Sequence, residues 1–476
     1  MLAGQPYPLQ GTFLNFYRNL TPELWALEFQ HMKALDISTV VIAPVGRLRA
    51  DAGDPLGYSL ASEGLRYPSN LVPACERPET DILEMMLSLA DQQGMHVYLG
   101  SLETAVDWSG GAEFVALRAY NKRVAAEIVE RYGHHRSLAG WYFTQEIWMN
   151  WVKRYGAGYY GTKLLADWVA DMKCVDAAKL TTVAVVVKKA GRGAMPGLTA
   201  TELETLAANF LKATRVDILM PQDGIGAGEG APALDDLADY FRAMRQGARA
   251  VGTNTALWST IETFTADAHP NNEQFPPATI ARIQKQVDLV RPYVSGYMSW
   301  IFGDDMSPQA AYYPVEASEL NRRYRSAFQP DAIPNEILPL ANYRFSAPAS
   351  AAYPDSDLQK LKDRTSSRDL SSWAGFRSDT LQITGDLGTA KTIHAVRALT
   401  QSQTASGIFH PSQISVEVSQ DGSNWVPFGT TNSFPADTPD FAVMWGEVRG
   451  SATARYIRWT FKYREWLFLA ELEAIG

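Results

Sequence analysis

Between its first residue and about residue 330 the chain alternates eight times between a short β-rich run and a longer helical pattern, and few architectures accept such an alternation. The runs fall at Gly11–Tyr17, Ser38–Pro44, Met95–Ser101, Leu138–Thr144, Thr182–Val187, Val216–Pro221, Thr255–Ile261 and Gly296–Phe302. Parallel neighbours need a crossover, a helix supplies it, and eight such units close a sheet on itself. The fifth run, Thr-Val-Ala-Val-Val-Val, is nearly all β-branched, as a strand covered on both faces should be. Helix punctuation agrees. Thr21-Pro-Glu-Leu offers an N-cap, a proline at the first helical position and an acidic first turn, while Ala90-Asp-Gln-Gln-Gly and Ala248-Arg-Ala-Val-Gly end on glycine. The expected fold class is α/β plus all-β: a (β/α)8 barrel over residues 1–330, then a smaller β module.

The second part follows from a change of pattern. From Gln329 to Ser350 Pro, Ala and Ser accumulate without a period, so 331–350 is read as a linker or a bridging strand. Over 351–476 short alternating runs (Leu381–Thr384, Thr392–Leu399, Gln413–Ser419, Phe441–Glu447, Arg455–Phe461) are separated by turns such as Gln420-Asp-Gly-Ser-Asn, which predicts a β-sandwich. The segment Val45–Pro78, rich in Gly, Pro and Arg, is expected to shape a cleft on the barrel's carboxyl face.

Composition narrows the partners. A net charge of −9 without a basic run argues against nucleic acid and anionic membrane, and no apolar stretch is long enough for membrane insertion. Thirteen Trp and 21 Tyr in an acidic chain suit carbohydrate. Cys75 and Cys174 stand outside any Cys-x-x-Cys or Cys/His pattern, so either one disulfide or two buried thiols is expected. His134 and His135 fall at a helix end, read as exposed groups complementing the dipole and not as a metal site. Met1-Leu-Ala-Gly looks like a start placed on a trimmed chain, so a removed export signal and a periplasmic or extracellular location are expected.

In such barrels the chemistry sits where strands end. The polar residues there are Asn15, Tyr17 and Arg18 after the first strand; Arg47 and Arg49; Glu103 and Asp107; Gln145 and Glu146; Lys188; Gln222 and Asp223; Glu262; and Trp300, Asp304 and Asp305 after the eighth. The stretch Gly140–Trp151 stands out: an apolar strand runs into Gln145 and Glu146 among Trp141, Trp148 and Trp151. A carboxyl group in dry aromatic surroundings keeps its proton and can donate it; the plainer alternatives are that Glu146 caps the next helix or pairs with Lys153 or Arg154. Glu262 ends a second tryptophan-bearing strand, with helix capping or an ion pair as its plain alternative. Arg47, Arg49 or Lys188 could keep it ionised. Asn15, Arg47, Glu103, Trp141, Gln145, Trp148, Asp223, Trp258 and Trp300 are the expected substrate contacts, although Asp-Gly at 223 is also a turn signal and strand tryptophans also serve packing.

These residues carry a resemblance. Glutamates at the ends of strands four and seven resemble the arrangement of clan A glycoside hydrolases. More narrowly, Gly11-Thr-Phe-Leu, Gly-Trp-Tyr-Phe-Thr-Gln-Glu and Trp258–Phe264 look like the glycosidase-like barrels of the domain of unknown function 4434 family. The resemblance implies a retaining hydrolase with Glu146 as acid/base and Glu262 as nucleophile, and no organic cofactor. About 5 Å between carboxyls would suit retention and about 6.5–9.5 Å inversion. Gln145 departs from the asparagine that often precedes the acid/base. The tail, through Trp373-Ala-Gly-Phe, Gly385-Asp-Leu-Gly, Ser415–Trp425, Arg455-Tyr-Ile-Arg-Trp and Trp466–Leu472, resembles the discoidin-like sandwich of family 32 carbohydrate-binding modules. That likeness implies a structural calcium near Asp363 and Glu471, although Asp363-Arg364 replaces the usual Asp-Gly. The alternatives to a retaining hydrolase are an inverting one using Asp223 or Asp304, and a non-catalytic glycan-binding scaffold on a degenerate barrel.

Overall fold

The computed structural model describes residues 8–14, 20–104, 112–191, 193–228, 231–266, 275–328, 336–378 and 380–476. The chain divides into two compact units, Met1–Asn15 with Met32–Phe302, and Phe16–His31 with Gly303–Gly476.

The first unit is a closed barrel of eight parallel strands: β1 (Gly11–Leu14), β2 (Thr39–Ile42), β3 (His96–Gly100), β4 (Leu138–Trp148), β5 (Leu180–Val186), β6 (Ile218–Pro221), β7 (Ala256–Glu262) and β8 (Gly296–Trp300). Each strand pairs with its sequence neighbours, and β1 closes the ring on β8. Inward side chains fill the lumen: Phe13, Val41, Tyr98, Tyr142, Ala184, Ile218, Met220 and Met298 form one core, with Trp258 and Trp300 packed against it. Alternation along a strand dictates which residues these are. In β7, Ala256 and Trp258 face inward with Glu262 in step, while Leu257 and Ile261 are buried outside the lumen.

All eight expected strands are present, with one informative difference. β4 runs four residues further than its sequence pattern suggests, and its pairing with β5 slips: Phe143 pairs with Val183, whereas Ile147 pairs with Val185. Four steps on one strand span two on the other, so Thr144–Glu146 bulges from the ladder. A bulge bends a strand and re-aims its side chains.

The Val45–Pro78 segment supplies two short strands, Arg47–Ala50 and Tyr58–Ala61, that join Glu103–Thr104 in a three-stranded sheet. Cys75 and Cys174 are exposed and unpaired, which corrects both sequence expectations: one sits in a single 3-10 turn, the other at the end of helix Tyr160–Val175. Among the described residues no helix is long and apolar enough to cross a membrane.

The second unit joins helix Pro314–Phe328 to an antiparallel β structure. Val315 of that helix shares a core with Trp373, Leu399, Trp445 and Phe468, so this helix packs with the strands that follow it. Nor is 331–350 simply a linker: Ile337–Leu338 and Asn342–Phe345 are both strands of the sheet. Four expected strands merge into two long ones, β9 (Thr380–Ser402) and β10 (Ala442–Lys462), which pair through register shifts at Asp386/Lys391 and Ile393/Ala395. The Gly385–Gly388 signal marks such a bend, with Gly388 at φ 78°, rather than a break. The last strand, β11 (Leu467–Ile475), is buried along its whole length between β9 and the strand Ala374–Phe376.

Candidate active site at the carboxyl rim of the barrel

Strand ends bring Glu146 and Glu262 to the same rim, three strand positions apart around the ring. Their surroundings differ sharply. Glu146, lifted out by the bulge, is exposed. Trp148 Nε1 donates to its Oε2 at 2.8 Å and Gln222 Nε2 to its Oε1 at 3.2 Å. The dry aromatic setting expected for Glu146 is absent, because the bulge points the carboxylate at water. Glu262 is only 4% exposed; the Ala227 N–H donates to its Oε2 at 2.7 Å. Burial pushes the Glu262 carboxyl up, against the Ala227 N–H and the charge of Lys188, which both favour the anion. Lys188 follows β5 and lies 6.0 Å from the centre of the Trp148 ring, so it stands on the arc between the two glutamates.

Asp223, one of the expected substrate contacts, is buried beside Glu262. It is 1% exposed and fully bonded: Ile225 and Glu262 N–H groups reach Oδ1 at 3.2 and 3.3 Å, and Gln286 Nε2 reaches Oδ2 at 2.5 Å. Burial, then the neighbouring Glu262 charge, pushes its carboxyl up. Asp223 holds the end of β7 in place through its bond from the Glu262 N–H. A side chain on the loop after β6 would disturb the same spot, since a Cβ on Gly226 would fall 2.8 Å from the Glu262 Cβ and 2.5 Å from the Phe264 carbonyl.

The remaining expected contacts sort by position. Trp300 pairs in register with Glu262, faces inward beside it, is half-buried, and packs its ring at 4.7 Å and a 54° tilt against Phe13. Its peptide bond to Ile301 is cis. Trp148 is half-buried next to Glu146. Beyond it the rings of Trp151 and Tyr155 stack at 5.6 Å, and Tyr155 and Tyr159 at 6.4 Å, with Arg154 over the first two. Trp258 lies four residues before Glu262 on the same strand, about 13 Å lower, inside the lumen against Tyr98 and against Gly296, where a Cβ would meet its ring at 2.9 Å. Trp141 is 3% exposed and lies between the barrel and the helices carrying Val124 and Trp168. Both therefore lie away from the rim that carries Glu146 and Glu262. Gln145 is spent on the wall: Ser101 Oγ donates to its Oε1 at 3.2 Å and its Nε2 donates to the Leu102 carbonyl at 2.6 Å. Arg47 pairs with Glu103 at 3.2 Å and Arg49 with Glu76 at 3.2 Å, so of the three expected cations only Lys188 serves Glu262. Asn15 and Asp107 lie outside the described residues.

Two participants escaped sequence reading. Gln222 was legible as a strand-end polar residue but not as the donor to Glu146. Gln286 sits on the apolar stripe Ile283, Gln286, Val287, Val290 of helix Ile280–Val290, and a lone amide on such a stripe is the signal that could have found it.

In the second unit, the residues do not fit the expected calcium. Glu471 is 1% exposed, and the Arg364 backbone N–H, a donor where a cation needs an acceptor, reaches its Oε2 at 2.8 Å. Asp363 is taken up by Thr365, whose N–H and hydroxyl both donate to it at 2.9 Å.

None of the curated proteins matches this chain. Among solved structures, a candidate α-L-fucosidase from Bacteroides thetaiotaomicron has 22% identity and a TM-score of 0.54, covering 68% of this chain and 94% of that one. This likeness bears on the fold. A chitosan-binding module of a Paenibacillus chitosanase/glucanase has 18% identity and a TM-score of 0.23, covering 30% of this chain and 99% of that one. The barrel shares the fold of the first of these structures, a closed ring of eight parallel strands. Residues 9–312, most of the chain, match the profile of the domain of unknown function family DUF4434, and the protein belongs to that family.

Proposed function

We propose that the barrel is a glycoside hydrolase that cuts an O-glycosidic bond in an oligo- or polysaccharide, with Glu146 and Glu262 as its carboxyl pair. The observation that carries this reading is one rim bearing both: an open carboxylate on a bulged β4, a buried carboxyl ending β7, and Lys188, Gln222, Trp148 and Trp300 around them. Trp300 and Trp148 offer faces for sugar rings, and the stacked Trp151 and Tyr155, backed by the buried Tyr159, extend such a surface for further units.

The two environments argue for roles opposite to those the family resemblance implies. Burial favours the protonated form of Glu262, which suits the donor to the leaving oxygen. Glu146, open to water and fixed by two N–H donors, suits the charged partner that attacks the anomeric carbon or activates a water. Lys188 stabilises the charge Glu262 acquires once its proton has left.

The slight exposure of Glu262 is also what favours a second reading, a glycan-binding barrel without catalysis. A panel of purified polysaccharides with product analysis separates the two. For a hydrolase, Glu146→Gln and Glu262→Gln each lower kcat by about 10³-fold or more while the melting temperature is nearly unchanged. On an aryl glycoside whose leaving group needs no proton, Glu262→Gln recovers and Glu146→Gln does not. A parent that cleaves nothing on the panel, with both variants losing stability, sinks the hydrolase.

A further inference from the structure

The amino end of the barrel, opposite the rim just described, carries a cluster that the hydrolase reading does not use. Helix Ile82–Gln93 presents Glu84 and Asp91, two turns apart on one face. The turn after helix Ala112–Tyr132 brings His134 and His135 against that face. His135 is 5% exposed, not the free surface group its position suggested, because the turn is pinned from both sides. The Ser137 N–H donates to Asp91 Oδ1 at 2.7 Å, Ser137 Oγ to the Leu87 carbonyl at 3.0 Å, and the Val97 N–H of β3 to the Ser137 carbonyl at 2.7 Å.

His135 is gripped at both nitrogens, Nδ1 at 2.8 Å from Asp91 Oδ2 and Nε2 at 3.2 Å from Glu84 Oε2. With the Nδ1–H directed at Asp91, the Nε2 lone pair faces a second carboxylate, that of Glu84. Two lone pairs at that distance require something positive between them. A proton would suffice, giving an imidazolium clasped by two acids. The fourth member points to a metal: the exposed ring of His134 lies 4.2 Å from that of His135, tilted by 37°, and ligand atoms of Glu84, His134 and His135 lie within 4.8 Å of one another. Beside a metal, a second imidazole is a ligand.

We propose that Glu84, His134 and His135 bind a first-row divalent ion, zinc being the probe of choice. Two imidazoles and one carboxylate leave a fourth, solvent-facing position for water. Asp91 behind His135 is the carboxylate–histidine arrangement that fixes the ligating tautomer. Zinc at about 2.0–2.2 Å from each donor needs ligand atoms roughly 3.4 Å apart; Nε2 and Oε2 are already at 3.2 Å, and the exposed His134 ring has only to swing inward. The ion joins the two helices at the stable end of the barrel, far from bond cleavage, and does not depend on the hydrolase reading.

The test is titration of the metal-stripped, tag-free full chain with zinc chloride near pH 7.5, by calorimetry and by equilibrium dialysis with metal analysis. The expected result is one zinc per chain with a Kd on the order of 10 µM or tighter, and a melting temperature that rises with zinc concentration. His134→Gln, at an exposed position that leaves the fold alone, and Glu84→Gln each weaken binding at least about tenfold, and Asp91→Asn by about 10- to 100-fold. No saturable one-to-one binding below about 100 µM, or binding unchanged in His134→Gln, overturns the site in favour of the clasped imidazolium.

Discussion

Each compact unit buries a pair of like charges, and the pairs are managed in opposite ways. In the barrel, Asp223 and Glu262 meet at the ends of neighbouring strands and are held by the amides of Gln286, Ile225 and Ala227, with the charges of Lys188 and of Arg282, which donates to the Glu262 carbonyl at 2.9 Å, acting on Glu262. In β11, Glu471 and Glu473 are two residues apart on one face, 1% and 2% exposed. There Arg397 clamps Glu473 through two nitrogens at 2.6 and 2.5 Å while lying 4.0 Å over the Trp445 ring. A guanidinium fixes one member as an anion, so burial and that anion force the proton onto Glu471. The arrangement has one stable state. The proton of the barrel pair is held by a balance of burial, backbone and amide dipoles and the charges of Lys188 and Arg282, which a substrate's arrival at the rim would tip. Perturbed carboxyls are common at both structural and functional sites; what separates them here is whether a bound cation has already decided where the charge stays.

Breaking the clamp should give the largest effect on stability. Arg397→Met keeps the bulk of the side chain and removes the charge, leaving Glu473 buried without its counterion beside Glu471. Losses of this kind run to about 3–5 kcal/mol, read as a fall in the urea midpoint of the C-terminal transition. A loss below about 1 kcal/mol would mean the clamp behaves like a surface pair and the comparison fails.

Removing a charge from the barrel pair should act in the other direction. Asp223→Asn keeps an oxygen for the Ile225 and Glu262 N–H groups, and Gln286, whose Oε1 is buried without a partner, can turn over to accept from the new amide. Both carboxyls have folded-state values above their unfolded ones, so their contribution to stability is fully present below about pH 4 and is lost as pH rises through the raised values. The variant sheds part of that loss. Its advantage over the parent should be near zero at pH 4 and grow to the order of 1–3 kcal/mol by pH 8–9, measured as urea midpoints across that range. Glu262, relieved of the Asp223 charge, should also titrate lower, so the basic limb of a pH–rate profile moves to lower pH. A variant less stable than the parent throughout would show that the Gln286 bond outweighs the repulsion.

The contrast explains what could be read from the chain beforehand. Strand number, order and most boundaries were legible because apolar periodicity is local, and Glu146 and Glu262 were legible because a strand's last inward residue must meet the rim. Side-chain fates were not. Trp141 and Trp258 share a sequence appearance with Trp300, yet one faces the outer helices, one plugs the lumen and one reaches the mouth, a difference set by alternation parity and height along the strand. The bulge that exposes Glu146 has no glycine or proline to announce it; only the mismatch with β5 creates it. Likewise the burial of His135 depends on Asp91 and Ser137, 44 and 2 positions away, and nothing in His-His predicts it.

The smallest effect expected is the one most specific to the clamp. If Arg397 keeps Glu473 charged and Glu471 neutral, then Glu471→Gln replaces one uncharged, hydrogen-bonding side chain by another of the same shape, and its amide oxygen still accepts from Arg364. Stability at pH 7 should change by less than about 1 kcal/mol. Because the parent must release the Glu471 proton as pH climbs through its raised value and the variant has none to release, the variant should gain on the parent above that value. Millimolar calcium should move neither protein's midpoint, since the Arg364 N–H and guanidinium already answer that carboxylate. A large loss at pH 7, or a calcium-dependent rise in the parent alone, would mean that Glu471 is an anion with a cation as its partner, and the two buried pairs would then differ in their counterions and not in their protons.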